Sequence, residues 1–275
     1  MLTYPGFDPI AVEIGPLAVR WYGLMYAVGF LGGWWLGRVR ARRPGSPIAP
    51  RDMDDLLFHI ALGVILGGRI GYMLFYDTAA LIEDPLRILR IWHGGMSFHG
   101  GLIGVLVAMT LYGRSRGKGF FQLTDFIAPL IAIGLGAGRI GNFINGELWG
   151  APGSVPWAMR VSCQDFTQLC TQKLGLSTDV AWTPPLHPTQ LYEAVLEGPV
   201  LLALLWWLAN RNPPTRAVSG LFLLAYGTFR FAVEFVRMPD AHIGYLAFGW
   251  VTMGQVLSLP MILIGLLLMG LAYRR

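Results

Sequence analysis

The chain has 275 residues, 54% hydrophobic and only 13% charged, with 21 Lys and Arg against 16 Asp and Glu for a formal net charge of +5. Soluble domains carry about 25% charged residues, so this chain has too little charge to coat a water-soluble globule, and its mean hydropathy is +0.52. The basic excess sits mostly in short loops between apolar runs, which points to membrane topology and away from a nucleic-acid partner.

The expected class is all-α: a polytopic membrane protein of about seven transmembrane helices, forming a single integral membrane domain over 1–275. The predicted helices are 21–37, 56–75, 96–112, 126–143, 191–208, 220–236 and 246–273. Each is near the ~20 residues that cross ~30 Å of hydrocarbon. The first twenty residues lack a basic start followed by an apolar core, so no cleavable signal is expected. Arg38, Arg40, Arg42, Arg43 and Arg51 follow the first helix, and Arg114, Arg116 and Lys118 the third. Arg211 and Arg216 follow the fifth, and Arg274 and Arg275 end the chain. Alternation of basic with basic-poor loops places the N-terminus outside and the C-terminus in the cytoplasm.

Two outer segments are more than connectors. Residues 81–92 (LIEDPLRILRIW) mix apolar and charged positions and are too short to span, so they are expected to form an interfacial amphipathic helix. Residues 146–188 are the longest polar stretch, with five prolines, and are expected to form a small periplasmic head or lid. Cys163 and Cys170 both lie there; a disulfide and two free thiols are both open, and no metal-ligand spacing is present. Glycines recur every fourth residue at 29, 33 and 37, at 63, 67 and 71, and at 134 and 138, which predicts close helix packing.

An ionisable side chain within a membrane helix costs roughly 2.5–3.5 kcal/mol on insertion scales, so each needs a reason. Arg69, His99, Arg139, Glu193, Arg230, Glu234 and Arg237 are such groups. With the inferred orientation they share the outer halves of their helices with Tyr26, which predicts one polar cavity opening outward. Arg230, Glu234 and Arg237 are spaced i, i+4, i+7 on one helix face. Three arginines (Arg139, Arg230, Arg237) against one or two acids predict a positive surplus suited to an anionic headgroup, whose phosphate oxygens match the guanidinium fork. Arg139 and Asn142 lie one turn apart in GRIGNFINGELWG, and Asn145 and Glu147 follow at the helix exit. His187 and Gln190, in HPTQLYE before the fifth helix, are expected to order the chain behind the reacting groups.

GGMSFHGG (94–101), GRIGNFINGELWG (138–150), HPTQLYE (187–193) and RFAVEFVRMPD (230–240), in this order, resemble the bacterial prolipoprotein diacylglyceryl transferase family, and the resemblance runs over the whole chain. It implies transfer of a diacylglyceryl group from phosphatidylglycerol to the lipobox cysteine of a prolipoprotein signal peptide, forming a thioether and releasing glycerol 1-phosphate. It also implies a multi-pass protein of the bacterial inner membrane, with its active site towards the periplasmic leaflet, among membrane lipids and without a cofactor or metal. Arg139 and Arg230 match the family's essential arginines; Tyr26, His99, Asn142 and Glu147 match further functional positions, and Glu234 and Arg237 its helix-six pair. The expected roles follow. Arg139 and Arg230 hold the phosphate and Glu234 orients Arg230. Asn142 and Tyr26 bond the headgroup, Asn145, Glu147 and Arg237 join them in binding, and His99 is the candidate base. The rival readings are a transporter or a lipid-binding scaffold for an anionic lipid or solute. A transporter predicts polar residues continuing through the inner leaflet, whereas the inner halves are apolar apart from His59 and Gln255.

Overall fold

A computed structural model describes residues 2–15, 17–239 and 244–274. Asp240, the last residue of the fourth motif, and Arg275 lie outside the described residues. The fold is mostly helical: α1 Trp21–Ala41, α2 Met53–Phe75, α3 Thr78–Glu83, α4 Phe98–Ser115, α5 Phe120–Ile144, α6 Thr189–Val195, α7 Leu201–Ala209, α8 Ala217–Val233 and α9 Met253–Tyr273. Four short strands accompany them: β1 Leu2–Thr3, β2 Ile10–Ile14, β3 Leu17–Arg20 and β4 Met159–Arg160. The hairpin β2–β3 is antiparallel, and β1 pairs in parallel with β4. Among the described residues, Pro50–Phe75, Phe120–Ile144, Thr189–Ala209, Ala217–Val236 and Met253–Tyr273 are long and apolar enough to cross a membrane.

The chain divides into two compact units, one from Trp34 to Ile127 and one from the segments ending at Gly33 and beginning at Ala128. In the first of these, α2 and α4 meet through glycine. A Cβ on Gly63 would stand 2.7 Å from the Gly104 carbonyl oxygen, and one on Gly71 2.7 Å from Gly100 Cα. Such backbone contact replaces the hydrophobic drive that lipid removes. Ser97 caps α4, its Oγ accepting from Gly100 N at 3.2 Å, while its own N–H donates to Gly68 O at 2.9 Å. A Cβ on Gly67 would overlap the Gly100 carbonyl and lie 2.8 Å from Gly104 Cα. Gly67→Val is therefore expected to lower the thermal midpoint in detergent by about 5 °C, from an overpacking cost of about 1–3 kcal/mol. Gly23→Val, where a Cβ meets nothing within 4 Å, is the control; equal shifts in the two variants would refute the packing role.

The expected amphipathic helix over 81–92 is not formed. Helix α3 stops at Glu83, and short 3₁₀ turns cover Pro85–Leu89 and Ile91–His93. Pro85 lacks the N–H that would continue the helix and excludes helical backbone at Asp84, which stands at φ −139, ψ 87; Asp84 then caps the next turn through Leu86 N at 3.2 Å. Arg69, buried on α2, holds this irregular segment. Its Nε donates to Ile88 O at 3.2 Å, and its Nη groups donate to the carbonyls of Arg87, Gly94 and Gly95. This intramembrane arginine therefore serves backbone carbonyls, not a charged cluster.

In the other unit, Ala128, Ala132, Leu201, Leu205, Leu208, Ala217, Val218 and Ala225 form the buried core between α5, α7 and α8. The fifth predicted helix is broken. Between α6 and α7 the wide π turn Leu196–Val200 contains Gly198 at φ −91, ψ −105 and Pro199. The proline removes a helical donor, and Gly198 fits against Gly136, where a Cβ would lie 2.8 Å from Gly198 Cα. Residues 146–188 pack on their own small core of Trp149, Val161 and Leu186, joined by Tyr4 and Met238. Tyr4 Oη donates to the Phe143 and Ile144 carbonyls, 2.8 Å each, satisfying the open end of α5. Its burial pushes the phenol pKa up to about 12. Cys163 and Cys170 form a disulfide within this segment.

Candidate active site

Three helices deliver six charged side chains to one place. Arg139 comes from α5, Glu193 from α6 and Glu197 from the π turn after it; Arg230, Glu234 and Arg237 come from the last turn of α8 and the residues beyond. Glu193 is the hub. Its Oε2 meets Arg139 Nη1 at 2.9 Å, and its Oε1 meets Arg230 Nη1 and, at 3.0 Å, Arg237 Nη1. Glu197 Oε2 accepts from Arg139 Nε at 2.9 Å. Glu234 Oε1 pairs with Arg230 Nη2 and, more loosely at 3.6 Å, with Arg237 Nε.

The expected positive surplus is corrected by this count. Glu197 was missed as an ionisable group at membrane depth, and with it the acids equal the arginines. The signal was present, since Glu197 stands four residues after Glu193 and shares its helical face. What distinguishes the charges is exposure. The carboxylate side chains are 0–4% exposed and the guanidinium side chains 12–17%. The acids hold the arginines from behind, and each guanidinium, with five N–H donors, has capacity left for an acceptor arriving from the accessible side. A neutral cluster thus presents a cationic face.

A second constellation builds on the exit of α5. Gly146 adopts φ +67, where a Cβ would run into the Phe166 ring, and Leu148 follows at φ +60. The turn brings the Glu147 carboxylate back over the helix end, where Asn142 Nδ2 donates to it at 3.3 Å and Asn145 Nδ2 at 3.2 Å. Gln190 Nε2 donates to the Glu147 carbonyl, and Thr189 Oγ1 to that of Leu148 at 2.7 Å. Gln190 thus holds the backbone of Glu147. His187 Nδ1 lies 3.0 Å from Tyr192 Oη of α6, and that hydroxyl accepts from Trp157 Nε1 at 2.6 Å.

Tyr26 is 56% exposed on α1, its ring edge-on to Tyr22 at 5.2 Å. Tyr22, not singled out from the sequence, packs against Gly141 and lies within electrostatic reach of Arg139 and Glu147. His99 lies in the first turn of α4, in the unit from Trp34 to Ile127, exposed and edge-on to Phe98 at 5.6 Å; it is not among the residues these contacts join. Chemically, a preorganised arginine set held by buried acids suits a phosphate ester, because its dipoles are already aimed before charge develops on the leaving oxygen.

The family model for prolipoprotein diacylglyceryl transferase matches residues 9–271. A phosphatidylglycerol–prolipoprotein diacylglyceryl transferase of Methylococcus capsulatus is 57% identical over 276 aligned residues, covering 100% of this chain and 99% of the relative. One of the same name from Azotobacter vinelandii is 56% identical over 100% of this chain and 98% of its own. Another from Nitratidesulfovibrio vulgaris is 56% identical over 98% of this chain and 95% of its own.

Proposed function

The chain belongs to the prolipoprotein diacylglyceryl transferase family, and on that footing we propose that it moves the diacylglyceryl group of phosphatidylglycerol to the lipobox cysteine of prolipoproteins. The observation that carries this reading is the arginine face of Arg139, Arg230 and Arg237 backed by three buried glutamates. The cysteine thiol, with an ordinary pKa near 8.5, must lose its proton to attack. The thiolate sulfur bonds to the terminal glyceryl carbon while the carbon–oxygen bond to phosphate breaks. The electron pair leaves with glycerol 1-phosphate, whose gain of negative charge is met by Arg139 and Arg230. Glu234 orients Arg230, and Arg237 adds to phosphate binding. Asn142, Asn145, Glu147 and Tyr26 bind the remainder of the headgroup, with His187 and Gln190 supporting them. His99, which matches a functional position of the family, is the candidate acceptor of the thiol proton.

The same proposal includes the topology: seven spanning helices, with α1 and α4 added to the five apolar ones, an outward N-terminus, a cytoplasmic C-terminus and residues 146–188 as a periplasmic head of an inner-membrane protein. The Cys163–Cys170 disulfide supports this side for the head, because such bonds persist in oxidising compartments.

The test uses the purified chain in phosphatidylglycerol vesicles with a lipobox peptide and mass spectrometry. A diacylglyceryl mass on the peptide cysteine, absent from the Cys→Ser peptide and from vesicles lacking phosphatidylglycerol, is the expected result. Unmodified peptide in the presence of protein-bound lipid would overturn the reading in favour of a lipid-binding scaffold.

A further inference from the structure

Helix α9 begins against the charged cluster, and its first residues belong to none of the four motifs. Thr252 is the N-cap of α9 and is buried. Its Oγ1 donates to Glu234 Oε2 at 2.6 Å and accepts from Gln255 N at 3.2 Å. A hydroxyl carries one proton and two lone pairs, so one side chain both caps the helix and holds the carboxylate. Gln255, expected from the sequence in an inner helix half, lies instead in the first turn of α9 and closes the cap reciprocally, its Oε1 accepting from Thr252 N at 3.0 Å, which fixes the threonine backbone as well. Gly254 lets the helix approach: a Cβ there would stand 2.5 Å from Glu234 Cδ. The carboxylate is therefore hydrogen-bonded at Oε2 by Thr252, while Oε1 faces Arg230 and, more loosely, Arg237 as ion pairs, and it sits at a helix N-terminus, where the backbone dipole favours negative charge.

We propose that Thr252 is a positioning residue for the transfer reaction, fixing the rotation of the Glu234 carboxylate and through it the aim of the Arg230 guanidinium. This rests on the proposed function, in which Arg230 meets the phosphate. Without the donation from Thr252, Glu234 Oε2 loses its partner and the carboxylate can turn about its last bond. Arg230 would then keep its charge and lose its direction, a loss felt where geometry matters most, as charge develops on the leaving oxygen.

The experiment compares Thr252→Ser, Thr252→Asp and wild type in the vesicle assay, with kcat and KM for phosphatidylglycerol separated. Serine keeps both cap and donor and is expected to retain at least half of wild-type kcat. Aspartate keeps the cap, being as good an N-cap as serine, but sets a second carboxylate against Glu234 Oε2 where the hydroxyl donated; kcat is expected to fall at least twentyfold with KM changed less than threefold. Acting through Glu234 also predicts non-additivity: in a Glu234→Gln background, Thr252→Asp should cost less than threefold more. Should Thr252→Asp fail to accumulate in the membrane, Thr252→Ala takes its place. A Thr252→Asp or Thr252→Ala enzyme with wild-type kcat, or losses that multiply independently of Glu234→Gln, would overturn the assignment. Absence of transfer by the wild type would instead overturn the function on which it rests.

Discussion

Glu193→Ala is expected to lower the thermal midpoint in detergent by about 10 °C and to remove measurable transfer. The reason is that one carboxylate serves three guanidinium groups, Arg139, Arg230 and Arg237. Deleting it leaves three cations sharing Glu197 and Glu234 in a place that water reaches poorly. Removing one partner from a buried ion pair typically costs about 3–5 kcal/mol, because the stranded charge has lost its hydration as well as its partner. A chain of this size loses roughly 2–4 °C per kcal/mol. Differential scanning fluorimetry of the purified variant measures the shift. A midpoint within 2 °C of wild type would mean that the cluster is not electrostatically closed by Glu193.

Arg139→Lys is expected to lose transfer without losing stability: a nearly normal midpoint with transfer reduced at least a hundredfold. Arg139 engages Glu193 through Nη1 and Glu197 through Nε, both at 2.9 Å. A lysine keeps the charge for those acids, so the fold tolerates it. Its single ammonium cannot face two carboxylates and also present a planar fork to a phosphate. Loss of one such preorganised donor set commonly costs a factor of 10²–10³ in turnover. Retention of more than a tenth of wild-type kcat, measured in the vesicle assay, would remove Arg139 from phosphate handling. Together the two variants separate what holds the cluster from what the cluster does.

Much of this was legible in the sequence because membranes make polar residues conspicuous. Arg139, Glu193, Arg230, Glu234 and Arg237 stood out as charges in apolar runs, and five of the anticipated spans are long and apolar enough to cross. The glycine repeat at 63, 67 and 71 marked a close helix contact without naming its partner, which is α4, since a backbone approach needs the absence of side chains. Arg69 was conspicuous for the same reason and misleading, because depth alone does not tell a carbonyl-holding arginine from a phosphate-holding one. The turn structure around Pro85 and the break at Gly198 were hidden by apolar composition, which carries no signal of backbone continuity. Thr252 was hidden differently: an N-cap threonine is ordinary, and its second bond, to Glu234, appears only when α9 is laid against the end of α8.

The neutrality of the cluster also bears on how the chain is made. Synthesis runs from the N-terminus, so Arg139 reaches the membrane 58 residues before Glu197, and Glu193 arrives 37 residues ahead of Arg230. A lone arginine in hydrocarbon costs roughly 2.5–3.5 kcal/mol even by the lenient insertion scales. Arg139 on α5 therefore has no partner from this cluster until Glu193 of α6 and Glu197 of the turn after it are made. The pair then carries an excess acid until α8 supplies the second and third arginines. The order of the charges along the chain is thus also an order of pairing, each later segment bringing the counter-ion an earlier one lacks.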